Sequence, residues 1–143
     1  MSMKLNLGCG PFPCPGDDWT NIDIVDFEGV DRVCDLNEGI PFSDGSVEQV
    51  VMSHALEHIA DPLFMLREIR RVCELGAVVE IRVPLLQYWQ PDHLTCFYDQ
   101  WFERNLVNVS GLRMERRKID VCKNIDGDDY DQLTVWLEAV PNE

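Results

Sequence analysis

The residues best able to do chemistry lie in the stretch "SHALEHIADP", residues 53–62. His54, Glu57 and His58 form an H-x-x-E-H pattern, two imidazoles and a carboxylate of the kind that can hold zinc and activate water. That reading needs His54 and His58 on one helical face, four residues apart, and a third ligand. His93, the remaining histidine, is the candidate third ligand, and Glu57 would then act as general base. The flanking residues suggest something else. Gln49-Val50-Val51-Met52 looks like a buried strand, and Pro62 leaves room for only a few helical residues after His58. The second reading makes the stretch a strand end at the rim of a small-molecule pocket.

Two more sets of residues favour the second reading. "NLGCGP" ends a short apolar run in Gly8-Cys9-Gly10, where backbone can approach a ligand with no Cβ in the way. Asp23 follows Gly8 by fifteen residues and closes the second strand, within "NIDI", the position for an acid that accepts hydrogen bonds from ribose hydroxyls. Asp35-Leu36 closes a third short run, where a carboxylate could accept from an exocyclic amine. Three such features at successive strand ends outline a crevice shaped for a nucleoside.

The elements that must position these residues can be read in order. Strands are expected at 4–7, 20–24, 31–35 and 49–53, with a brief helical turn at 46–49. Asp61 caps a helix with Pro62 at its first position, and Gly76 is expected to stop it. A strand at 77–83 follows, then a helix at about 99–109, then two strands, 113–122 and 133–140, around the acidic loop "NIDGDDYD". That last pair reads as an antiparallel hairpin. The loop lacks the spacing and closing glutamate of a calcium site. The fold class is therefore α/β, a single domain over residues 1–143, with a Rossmann-like sheet that is mostly parallel and closes in an antiparallel hairpin.

Composition narrows the partners. Acids outnumber bases 26 to 12, for a formal charge of −14, so nucleic acid and anionic membranes are poor partners. With 45% hydrophobic and 27% charged residues the chain has a globular composition. It contains no apolar run of spanning length and no signal-peptide pattern, and the expected location is the cytoplasm. The six cysteines include no C-x-x-C pair and are expected to be reduced and mostly buried. The four tryptophans read as core or rim packing, and Tyr88-Trp89 could wall an acceptor pocket.

Taken in order, "KLNLGCG", "NIDI", "CDL", "IPFSDGSVEQVVMSHALEHIADP", "LREIRRV" and "GAVVEIRVP" resemble the successive motifs of class I S-adenosylmethionine-dependent methyltransferases, in particular the small type 11 group. The resemblance covers roughly residues 4–84. It implies S-adenosylmethionine as cofactor and direct methyl transfer to an acceptor that the sequence does not identify. By the same resemblance, Gly8, Cys9 and Gly10 approach the methionine part of the cofactor. Asp23 binds the ribose, Ile24 lies against the adenine, and Asp35 and Leu36 flank its edge. Ser53 and His54 stand near the sulfonium and the acceptor. If the acceptor must lose a proton, His54, His58 and His93 are the candidate bases.

The N-terminal half departs from the family pattern. Residues 11–19 hold three prolines and no helix, and the gap at 25–30 is too short for an ordinary parallel crossover. One sheet face should thus lack helical cover, leaving an apolar patch that favours a homodimer or a partner subunit. The rivals to an active methyltransferase are a catalytically idle, methyltransferase-like binding subunit and a zinc-dependent hydrolase using His54, Glu57 and His58.

Overall fold

A computed structural model describes residues 3–85 and 90–142. Tyr88-Trp89, read above as a pocket wall, lies outside the described residues. Seven strands form one sheet: β1 (Met3–Leu7), β2 (Trp19–Asp23), β3 (Arg32–Val33), β4 (Val47–Ser53), β5 (Cys73–Pro84), β6 (Leu112–Lys123) and β7 (Asp129–Ala139). Two α-helices join them, α1 (Pro62–Val72) and the short α2 (Trp101–Asn105), with 3-10 turns at Leu36–Glu38, Leu56–His58 and Leu106–Asn108. The sheet order is β3-β2-β1-β4-β5-β7-β6. Pairing is parallel from β3 through β5 and antiparallel where β7 enters between β5 and β6. This is the mostly parallel Rossmann-like sheet and closing hairpin that the motif order predicts.

Helix α1 forms for the reasons visible in its sequence. Asp61 Oδ1 accepts from the Phe64 N–H at 3.1 Å, and Pro62 starts the helix where no N–H is needed. Met65, Leu66, Ile69 and Val72 recur at helical spacing and are buried. They pack in the same core as Val50 and Met52 of β4, Val79, Ile81 and Val83 of β5, and Leu133, Val135 and Leu137 of β7.

The sheet's other face has little helical cover, as the proline-rich N-terminal half implies. Strand β5 alternates: Ala77, Val79, Ile81 and Val83 are buried, while Val78, Glu80 and Arg82 between them are exposed or half-buried. Glu80 Oε1 accepts from the Trp136 indole at 2.7 Å, Arg82 pairs with Glu80, and the Arg116 guanidinium lies 3.9 Å over the Trp136 ring. Arg113 on β6 pairs with Glu138 on β7. At β5, β6 and β7 the outward side chains are thus largely charged and polar, while Phe12, Ile24, Val25, Phe27 and Val33 are exposed in the N-terminal half, where the helices are missing.

Where a first crossover helix would run, residues 11–18 cross the sheet as irregular chain. Two buried asparagines pin them there. Asn21 Oδ1 accepts from the Cys14 N–H at 2.7 Å and from Asn6 Nδ2 at 3.0 Å. Asn21 Nδ2 donates to the Cys14 carbonyl and to Asp31 Oδ2, and Asn6 Nδ2 also reaches the Phe12 carbonyl. Polar side chains from two strands thus satisfy loop backbone that would otherwise be buried without partners. Replacing Asn21 by leucine leaves these groups unpaired. The expected cost is about 2 kcal/mol, read as a fall in melting temperature of roughly 6 °C. An unchanged melting curve would refute the pinning role.

Several local expectations are corrected. Residues 46–49 hold no helical turn: β4 begins at Val47, which pairs with both Met3 and Cys73. Gly76 does not stop α1. The chain is already extended at Cys73, and Gly76, at φ 84°, sits within β5 between the pairs Val47–Cys73 and Gln49–Val78, where the register shifts. The second helix is shorter than predicted, five residues followed by a 3-10 turn. All six cysteines are free, but only Cys9 and Cys73 are buried, fewer than expected. Strand β3 joins β2 in parallel across a short link and is only two residues long, the very short form the sequence gap requires.

Candidate active site

Strands β1, β2 and β3 run out in one direction across the sheet, and β4 and β5 start again on the other side of β1. The crevice beyond the carboxyl ends of β1 and β4 is the topological switch point. Gly8 and Gly10 follow β1 with φ values of 68° and 54°, a conformation that favours glycine. A Cβ on Gly8 would stand 2.5 Å from the Ala55 side chain, so the loops after β1 and β4 touch there. A Cβ on Gly10 would meet nothing within 4 Å. One glycine closes a contact, and the other leaves backbone open to a ligand.

Asp23 faces this loop. Its Oδ2 accepts from the Gly10 N–H at 2.9 Å and its Oδ1 from the Val25 N–H at 2.9 Å. A carboxylate has about four acceptor sites, so each oxygen keeps capacity for a further donor. Ile24 beside it is 62% exposed, an apolar surface at the crevice rim. Asp35 is half-buried and caps the following 3-10 turn through Asn37. Leu36 is placed differently from Ile24: its side chain is buried in the core, so it can offer a ligand only its backbone. Cys9 is buried, which with the nearby Asp23 charge pushes its thiol up to about 11, leaving it protonated at neutral pH.

Ser53 is half-buried at the end of β4, and His54 follows it. His54 is the one non-glycine with positive φ among the described residues, at 53°. That geometry costs about 1–2 kcal/mol and aims the ring across the cleft. Gln132 Oε1 lies 2.6 Å from its Nε2, and Tyr130 stands edge-on with its hydroxyl 3.5 Å away. Both partners come from β7, which enters the sheet antiparallel and so brings its first residues to the same end. Sequence reading missed Gln132 and Tyr130; the one available signal was their place beside the hairpin turn. Burial lowers the His54 pKa from its ordinary value, so the ring is neutral near pH 7.

The H-x-x-E-H residues are not on one helical face. The 3-10 turn covers only Leu56–His58, and His54 lies before it in extended-to-left-handed backbone. Glu57 is 1% exposed, and burial pushes its carboxyl up to about 7. Its backbone carbonyl accepts from the N–H groups of Leu94 and Thr95, docking that loop and bringing the His93 ring to 5.0 Å from His58. The His93 pKa is lowered, first by burial and then by His58.

A groove of about 700 Å³ lies at the opposite end of the sheet, lined partly by Arg67, Arg70 and Arg71. All three guanidiniums already donate to protein acceptors, among them the carbonyls of Asn108 and Val140 and the carboxylates of Glu68 and Asp44. Nothing there converges on a ligand.

A seven-stranded sheet in this order, with a glycine loop and an acid at adjoining strand ends, defines a class I methyltransferase fold. Residues 20–81 match the family described as a methyltransferase domain, type 11. That match covers less than half of the chain, and the sheet has the fold of class I S-adenosylmethionine-dependent methyltransferases. An S-adenosylmethionine-dependent methyltransferase structure from Methanosarcina mazei superposes with a TM-score of 0.68 at 14% identity, covering 96% of this chain and 92% of that one. A chain from a Haloferax volcanii complex containing the Trm112 methyltransferase activator gives 0.74 at 17% identity, covering 99% and 83%. The geranyl diphosphate C-methyltransferase of Streptomyces coelicolor, solved with Mg2+, geranyl diphosphate and S-adenosylhomocysteine, gives 0.72 at 14% identity, covering 98% and 71%. No curated protein sequence matches the chain significantly. No helix among the described residues is long and apolar enough to cross a membrane.

Proposed function

We propose that the chain is an active methyltransferase that binds S-adenosylmethionine across the ends of β1, β2 and β3 and methylates a small acceptor on the β4–β7 side. The observation that carries this reading is the Gly10–Asp23 hydrogen bond at the switch point, beside backbone open to a ligand. Gly10 in particular leaves open backbone that no contact within the protein requires.

The cofactor supplies an activated methyl group, whose transfer breaks one S–C bond and forms one bond to the acceptor. The protein's own residues then have to bind, align and exclude water. Gly8, Cys9 and Gly10 offer close backbone to the methionine part, and Asp23 accepts from the ribose hydroxyls. Ile24 covers the adenine, while Asp35 and the Leu36 backbone meet its edge. Ser53 and His54 bound the acceptor side. Gln132 accepts from His54 Nε2–H and so holds the ring in place on the acceptor side.

Calorimetric titration of the protein with S-adenosylmethionine and S-adenosylhomocysteine tests the reading. Saturable one-to-one binding of both ligands is expected. Absence of heat up to millimolar ligand would sink the enzyme reading for this chain and leave the idle binding module in its place.

A further inference from the structure

We propose that Glu57, His58 and His93 form a divalent transition-metal site of the zinc type, beside the cleft and distinct from the cofactor pocket. One ligand atom from each residue lies within 4.8 Å of the others. The three come from two segments, the 3-10 turn after β4 and the loop before α2, which the Glu57 carbonyl already holds together through Leu94 and Thr95.

The hydrogen bonds around Glu57 call for a cation. His58 Nδ1 lies 3.1 Å from the Asp92 carbonyl, which can only accept, so Nδ1 carries the proton and Nε2 presents its lone pair. Nε2 faces Glu57 Oε2 at 4.0 Å. From the other side, His54 gives its Nε2–H to Gln132 and turns its Nδ1 lone pair toward the same oxygen at 3.8 Å. In these tautomers neither ring offers an N–H to the carboxylate. A proton on Glu57 would not mend this, because an O–H···N bond needs roughly 3 Å or less. The second oxygen, Oε1, is buried with no hydrogen-bond partner among the described residues. A buried carboxylate with one unpartnered oxygen and two imidazole lone pairs aimed at the other is costly unless a positive charge joins them.

The spacing suits an ion. Ligands bound at about 2.0–2.1 Å in a tetrahedral site lie roughly 3.4 Å apart, so small side-chain rotations would close the set. His58 has the outer arrangement that metal-bound histidines adopt, one nitrogen donating to a carbonyl and the other free to coordinate. Two imidazoles and one carboxylate select zinc-like ions over magnesium or calcium, which prefer all-oxygen sites. Glu57 is here a ligand and not a base, so the site differs from the hydrolase arrangement considered from the sequence.

Chelator-treated protein should be titrated with Zn2+ against a chromophoric competitor, with S-adenosylhomocysteine binding measured on the same samples. One equivalent of zinc is expected to bind. His93→Ala, at a half-buried loop position compatible with folding, is expected to lower the affinity at least 30-fold, and Glu57→Gln to abolish stoichiometric binding. Cobalt substitution should give a d–d spectrum without a thiolate charge-transfer band. No stoichiometric zinc binding, binding indifferent to His93→Ala, or a thiolate band pointing to the free cysteines would each overturn the proposal. Binding of S-adenosylhomocysteine reports the cofactor pocket separately, so failure of one reading does not disguise failure of the other.

Discussion

Asp23→Ala is expected to weaken binding of S-adenosylmethionine and S-adenosylhomocysteine by roughly 100-fold. Two hydrogen bonds from ribose hydroxyls to a carboxylate contribute about 1.5 kcal/mol each at the low end for charged acceptors, and each 1.4 kcal/mol is a tenfold change in affinity. The substitution also releases the N–H groups of Gly10 and Val25, which Asp23 now holds. Asp23→Asn separates the two effects. Its amide oxygen can keep one backbone bond but has lost the charge, so an intermediate loss of about tenfold is expected. Calorimetry on both variants, with circular dichroism to confirm folding, decides the matter. An Asp23→Ala affinity within threefold of the parent would remove Asp23 from the pocket.

Gly8→Ala is expected to be the more damaging change to the fold, by about 3–4 kcal/mol. Two costs combine. At φ 68° an alanine pays about 1–2 kcal/mol for left-handed backbone. Its Cβ would also lie 2.5 Å from the Ala55 Cβ, an overlap that must push the two loops apart at a typical cost of 1–3 kcal/mol. The melting temperature should fall by roughly 10 °C. Gly10→Ala supplies the contrast: it meets the same backbone cost at φ 54° but no steric neighbour, so it should lose only the first part. Equal losses in the two variants would show that the Gly8–Ala55 contact has no special weight.

Most of the parallel half of the fold was legible because its signals are local. Asp61-Pro62 marks a helix start by chemistry confined to four residues, and alternation in residues 77–83 marks a half-covered strand. The same alternation places Glu80 and Arg82 at the positions facing away from the core. Gly8, Gly10 and Asp23 could be assigned because each stands at a strand end and strand ends converge in this kind of sheet. The His54–Gln132 contact spans 78 residues and depends on where β7 enters the sheet, which no local pattern encodes. The asparagine pins were hidden for a similar reason. Asn6 and Asn21 read as ordinary strand residues until β1 and β2 pair in parallel and place them side by side.

The loss of the two N-terminal crossover helices bears on how the chain reaches this structure. A helix can form on a submicrosecond to microsecond timescale from contacts within its own segment. Residues 11–18 and 24–31 form no helix, and much of their order comes from bonds to β1 and β2. The β6–β7 hairpin and α1, by contrast, contain their own local contacts. Strand β1 finds one partner in β2, fifteen residues on, and the other in β4, some forty-five residues on, so closing that side carries the larger loop entropy. The loops that would hold the cofactor depend on the sheet behind them for their order.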